Sequence, residues 1–248
     1  MDPRPAITER RLAGVRRILV VTGGKGGIGK SSVAAGLALS MARAGHRVGL
    51  LDLDLSCPSA HVILGIGEST PEEDRGLVPL VAHGITFLSM ASFTGERAAP
   101  IRGSETSDAL LEMLAVTRWG NLDVLLVDSP PGLGDALMDM VSLLPRAEFV
   151  VVAGPSPVVL AVVRRTLDLL RRVDAPMAGL IENMRAPADP VGAIAAALDP
   201  ALPVLASVEF DTGLAASVGD AERLASSTFM RQLEPAARAL VPAPPNGD

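Results

Sequence analysis

Gly24-Lys25-Gly26-Gly27-Ile28-Gly29-Lys30-Ser31 follows the aliphatic run 18–22 and leads into residues 31–44, where apolar side chains recur at helical spacing. A strand, a glycine-rich loop fitting G-x-x-x-x-G-K-[ST] and a helix therefore occur in the order that builds a phosphate cradle. Glycines let successive backbone N–H groups turn inward, and the helix start adds the positive end of its dipole. Lys30 is placed to reach β and γ phosphates, and the Ser31 hydroxyl to ligate Mg²⁺. Gly24, Lys25, Gly26, Gly27, Ile28, Gly29, Lys30, Ser31 and Ser32 are thus expected to wrap the nucleotide. Lys25 and Lys30 are the only lysines among 22 basic residues. A compact ammonium on a flexible stem fits between phosphate oxygens where a planar guanidinium does not.

Further short aliphatic runs at 48–52, 85–90, 124–128, 149–153, 178–182 and 204–208 read as buried strands, and 107–116, 158–173 and 191–198 as helices between them. Continuous apolar strands alternating with helices predict an α/β fold: a mostly parallel sheet of roughly seven or eight strands, helix-covered on both faces. Ligands of such sheets lie beyond the strands' carboxyl ends, which here carry Thr22, Asp52, Asp128 and Glu182-Asn183. The expected division is an N-terminal arm over 1–16, one domain over 17–240 and a disordered tail over 241–248.

Composition narrows the function. Of 248 residues 48% are hydrophobic and 20% charged, as in a globular protein, and the net charge of −6 lacks the basic footprint of a duplex binder. With aromatic residues at 2%, a stacking platform for single strands has no material. The longest apolar stretch, 149–163, is broken by Pro155-Ser156-Pro157 and falls short of the ~18–20 residues of a membrane span. No nucleic acid, no membrane and a cytoplasmic location are expected. The one cysteine, Cys57, excludes an intrachain disulfide or a multi-cysteine metal site within one chain, and His46, His61 and His83 show no paired ligand spacing.

With its additional Lys25, K-G-G-I-G-K-S resembles the deviant Walker A motif of the MinD, ParA, nitrogenase iron-protein and Mrp ATPases. That resemblance implies a P-loop NTPase fold and a homodimer closed by ATP, with Lys25 reaching the partner subunit's nucleotide. It also implies that Asp52 holds a Mg²⁺-bound water, Asp54 orients the attacking water and Asp128 is the Walker B partner of Mg²⁺, with Lys25, Lys30 and Asp54 as the catalytic set.

The resemblance is closest to Mrp/ApbC-type iron–sulfur carrier ATPases, over about 18–240. Asp52-Leu53-Asp54-Leu55-Ser56-Cys57-Pro58-Ser59 resembles their D-x-D-x-x-G-P-S, with Cys57 in place of glycine. Ile101-Arg102-Gly103 resembles W-R-G-P, with Ile101 for tryptophan and Ser104 for proline. Trp119-Gly120-Asn121-Leu122-Asp123 and Asp128-Ser129-Pro130-Pro131-Gly132-Leu133-Gly134-Asp135 match W-G-E-L-D and D-x-P-P-G-x-G-D. Val163-Arg164-Arg165 and Glu182-Asn183-Met184 match the later helix and the E-N-M adenine loop. Asn183 can offer adenine a donor and an acceptor, and Asn183-Met184-Arg185-Ala186 is not the N-K-x-D of a guanine site, so ATP is expected over GTP.

The resemblance stops after Met184. Where the family has C-x-x-C, residues 185–191 hold no cysteine, so no iron–sulfur cluster is expected, and one thiol per subunit cannot supply four. Two functions follow: a cluster-less Mrp-like ATPase, slow until a partner stimulates it, assisting an unknown client metalloprotein; or a MinD/ParA-like organiser on membrane or DNA. The first is favoured. Pro235 and a weak basic content make 229–240 poor as an interfacial helix, and only the Arg164/Arg165 and Arg171/Arg172 pairs offer a basic patch.

Overall fold

The computed structural model describes residues 2–54, 57–67, 71–90, 92, 104–132 and 135–242. The readings placed on Leu55, Ser56, Ile101, Arg102, Gly103, Leu133, Gly134 and 243–248 lie outside the described residues.

β1 (Val15–Thr22) runs through the centre of an eight-stranded sheet. Beside it lies β7 (Leu122–Asp128), then β2 (Val48–Asp52), β6 (Ile85–Ser89) and the edge strand β5 (Leu80–Ala82). On the other side come β8 (Ala147–Ala153), β9 (Met177–Arg185) and β10 (Val204–Glu209). All neighbours are parallel except β5, which turns back antiparallel along β6. The expected P-loop α/β sheet is therefore present, with eight strands. β3 (Glu72–Glu73) and β4 (Leu77–Val78) form a separate small ribbon.

The helices that cover the sheet are α1 (Arg4–Arg11), α2 (Lys30–Arg43), α3 (Ala60–Leu64), α4 (Ser104–Val116), α5 (Asp135–Leu143), α6 (Pro157–Arg172), α7 (Ala193–Leu198), α8 (Ala221–Ala225) and α9 (Thr228–Leu240). Within the segment 1–16, residues 4–11 form α1 and Val15 opens β1. Arg4 of α1 bonds Asp108 of α4 at 2.7 Å, tying the segment to the domain.

α2 is apolar nearly all round because it is covered on both sides: Val33, Leu37 and Leu39 are buried, and Gly36 meets α9. A Cβ on Gly36 would lie 2.8 Å from Leu233 and 2.9 Å from Phe229. α9 keeps its helix through Pro235 and buries Phe229, Met230, Leu233, Ala236, Ala237 and Leu240. Its apolar face is thus occupied by its own domain and is not free to lie in a lipid interface. No helix among the described residues is long and apolar enough to cross a membrane.

Candidate active site

Parallel register brings the loop and acids together. Val21 pairs with Asp128, and Asp128 with Asp52, so β1, β7 and β2 end side by side beneath the loop 24–29. The loop is glycine-rich for a local reason: Gly29 starts α2 at φ +83°, and a Cβ there would sit 2.3 Å from the Asn183 amide. At Gly26 and Gly27 the opposite holds, since an added Cβ meets nothing within 4 Å. That open space, lined by backbone at a helix start, suits the close approach of phosphate oxygens.

The two lysines differ in setting. Lys30 is only 6% exposed, yet its side chain makes no hydrogen bond or ion pair with any described residue. A buried, unpaired ammonium is costly unless a ligand supplies the anion. Lys25 lies exposed at the loop tip, its side chain likewise without a bonded partner among the described residues, while its backbone N–H donates to the Gly23 carbonyl at 2.8 Å.

The acids divide the labour unequally. Asp52 is fully buried; Oδ1 accepts the Asp54 N–H at 3.1 Å, and Oδ2 accepts those of Ser59 and Ala60 at 3.0 and 3.1 Å. Burial pushes its carboxyl up against the pull of those donors. Asp52 therefore fastens the loop after β2 in addition to standing beside Asp128. Asp54, half-buried, accepts the Cys57 N–H at 3.0 Å.

Asp128 is buried with both carboxylate oxygens lacking any hydrogen-bond partner. Burial first and the neighbouring Asp52 charge second push it up to about 7, against a smaller pull from the nearby Ser31 hydroxyl and Lys30 ammonium. Two orphaned oxygens beside a phosphate cradle fit a divalent cation. Mg²⁺ keeps waters and phosphate oxygens as ligands, so one carboxylate and the Ser31 hydroxyl are enough protein donors for it.

β9 braces the loop from the other side. Asn183 is buried and donates Nδ2 to the Ile28 carbonyl at 2.8 Å, so one amide hydrogen expected for adenine is committed to the loop. Glu182 before it accepts the Gly192 and Ala195 N–H groups and the Ser207 hydroxyl at 2.7–3.0 Å. Burial raises its carboxyl, but these donors outweigh it and leave it below the ordinary value. Arg185 completes the corner, donating to Ser207 Oγ, to the Ala186 carbonyl and to Glu209.

The family model described as ParA: NUBPL iron-transfer P-loop NTPase matches residues 14–194. The chain belongs to this NUBPL family. The iron-sulfur cluster carrier protein of Pseudomonas fragi is 41% identical over 177 residues, covering 70% of this chain and 62% of that protein. That of Deinococcus radiodurans is 42% identical over 182 residues, with 72% and 52% covered. The NUBPL-type chain thus spans about half to three-fifths of the length of these curated relatives. Among solved structures, a nucleotide-binding protein of Archaeoglobus fulgidus in complex with ADP superposes with a TM-score of 0.76 at 26% identity, covering 92% of this chain and 96% of that one. The septum site-determining protein MinD of Pyrococcus horikoshii, complexed with Mg-ADP, has a TM-score of 0.65 at 21% identity over 89% and 94%. It shares the P-loop fold.

The NUBPL-type chain also has a cavity that the sequence motifs do not mark. A cavity of about 280 Å³ opens beside Ser32 in the first turn of α2, lined by Phe210, Asp211, Thr212, Leu214 and Val218. Phe210 is 59% exposed there, an apolar residue just beyond a strand end, which is the one hint the sequence offers. Of the arginine pairs on α6, Arg164 donates to the Ala197 carbonyl and Arg171 bonds Asp168 and Asp199, so two of the four are engaged within the chain.

Proposed function

We propose that the chain binds MgATP and hydrolyses it slowly in an ATP-closed homodimer that serves the assembly of a client metalloprotein, without carrying a C-x-x-C cluster. The observation that carries this reading is the contrast between the lysines: Lys30 is buried over its own phosphate cradle, and Lys25 is exposed without a bonded partner among the described residues. A free ammonium at a loop tip can serve the nucleotide of a facing subunit.

Gly26, Gly27 and the N–H groups opening α2 bind the phosphates, Lys30 balances their charge, and Ser32 leads toward the cavity at Phe210–Thr212, where the base and ribose fit. Asn183 holds the loop and keeps one amide hydrogen for the base. Ser31 and Asp128 would hold Mg²⁺, with Asp52 behind them. Bound there, the ion would neutralise charge on the phosphate oxygens. Asp54 orients water at the γ-phosphate once the dimer closes. Slow basal turnover is expected because the sequence assigns no arginine finger to the phosphate loop. The names of the relatives support iron–sulfur work, and a single thiol per chain supports a role other than holding a four-cysteine cluster.

Mixed dimers test the proposal. Asp54→Ala should accumulate as an ATP-bound dimer by light scattering, and Lys25→Ala should bind ATP without hydrolysing it. Mixing the two leaves one site with its own Asp54 and a partner's Lys25, so activity should return. No recovery in verified heterodimers refutes the trans role.

A further inference from the structure

We propose that the groove between the C-terminal half of α2 and the outer side of α9 is a docking site for an acidic, amphipathic helical segment of a partner protein. It is separate from the nucleotide site: α2 runs 14 residues from Lys30 to Arg43, so the groove lies at the far end of that helix, about 20 Å from the phosphate loop.

The two helices pack tightly at Gly36, where an added Cβ would meet Leu233, Phe229 and Met230 within 3.2 Å. The groove is a cavity of about 400 Å³ lined by Met41, Ala44, Met230, Ala237 and Val241. Met41, Met230 and Ala237 are buried at the bottom, and exposed Ala44 with half-buried Val241 borders them, an apolar bed over which another chain's side chains can close. The rim has the opposite chemistry. Arg231, Glu234 and Arg238 stand on one wall and Arg43 with His46 on the other, three arginines against one carboxylate.

In a chain of net charge −6, this rim is locally cationic and under-neutralised. Arg231 spends its donors on the Ser226 carbonyl and the Thr228 hydroxyl, both at 2.8 Å, and pairs with no carboxylate among the described residues. The partners of Arg43 and Arg238 are Glu222 and Glu234, whose side chains are 78% and 49% exposed. Such surface pairs contribute little and exchange readily for an incoming acid.

Spacing selects the occupant. Arg231 and Arg238 are seven residues apart on one helix, which sets their Cα atoms about 10 Å apart along the groove, with Arg43 facing them. A ligand matching this carries at least two carboxylates two helical turns apart around an apolar stripe. A helix with Glu at i and i+7 and Leu between satisfies both. A fatty acid or a lipid phosphate offers one head group only.

The test uses a fluorescein-labelled, helix-stapled peptide with Glu at i and i+7 and Leu at i+3 and i+4, compared with its Lys-for-Glu counterpart. Anisotropy titration of the full chain at low salt should show the acidic peptide binding at least about tenfold more tightly than the basic one. Arg231→Glu, which reverses the rim, and Ala44→Trp, which fills the bed from an exposed position, should each weaken it by a similar factor. Circular dichroism and fluorescent-ATP binding of both variants should match the parent, so a failure here is distinguishable from a failure of the nucleotide reading. No binding, equal binding of the two peptides, or binding unaffected by both variants overturns the proposal. So does sedimentation with phosphatidylglycerol vesicles that Arg231→Glu abolishes, which would make the groove a lipid site.

Discussion

Replacing Asp128 with asparagine should make the ligand-free protein more stable while ruining its use of Mg²⁺. The wild-type carboxylate is fully buried without a hydrogen-bond partner, and its affinity for a proton is raised from 3.8 to about 7. The folded state therefore holds a proton that the unfolded chain has released between about pH 4 and pH 7, so stability falls as pH rises through that window. A rise of about 3 units corresponds to about 4 kcal/mol above pH 7, shared with the neighbouring Asp52 charge. Asparagine removes the charge but leaves a buried amide, which costs about 1–3 kcal/mol. The net expectation is a gain of about 2 kcal/mol at pH 8, or roughly 4–8 °C in Tm for a chain of this size. Urea unfolding in EDTA at pH 5 and pH 8 checks it: the gap between variant and parent should open only at the higher pH. Mg²⁺ with nucleotide should stabilise the parent and leave Asp128→Asn unchanged. A variant less stable than the parent at pH 8, or a gap equal at both pH values, would show that Asp128 is not a strained, unpaired charge.

Lys30→Ala should keep its fold and lose ATP binding by at least about a hundredfold, since the buried ammonium hydrogen-bonds no described residue; calorimetry reads both affinity and stoichiometry. Gly29→Ala should cost about 2 kcal/mol or more in unfolding titrations, combining left-handed strain with the collision against Asn183. Leu37→Ala, in the fully buried face of α2, should cost about 2–5 kcal/mol. At the amino edge, Arg47 first and then Arg16 hold Asp123 well below the ordinary carboxylate range against a smaller effect of burial. That contribution is complete above about pH 4 and shrinks as pH falls toward the lowered folded value, so Asp123→Asn should destabilise most at pH 7 and clearly less at pH 2 in thermal melts.

Strands were legible where burial on both faces demanded unbroken aliphatic runs, as at Val48–Asp52. They were hidden where charge intrudes or pairing is short. Arg16 and Arg17 conceal the start of β1, because their charges are met across the sheet by Asp123 and Glu148. β5 has three residues, too few for alternation to register, and the five-residue α3 and α8 have little more than one turn, too short for a helical repeat to show. The loop and its acids could be located because the motif fixes their order along the chain. Whether an oxygen is engaged could not, since the donors on Asp52 come from backbone seven and eight residues away. The Phe210 cavity depends on β10 ending beside α2, a matter of topology that no local pattern carries.

A chain whose only side-chain amines are Lys25 and Lys30 has an unusual chemical address. Acylating reagents that normally decorate a whole surface can, on this surface, modify little besides the exposed Lys25, and a lysine-specific protease can open the folded chain at the same loop and nowhere else. Modification by either reagent becomes a direct report on whether the loop is covered. Nucleotide, a facing subunit and the order in which the two arrive can then be followed on the unlabelled, unmutated protein, by mass spectrometry of a single peptide.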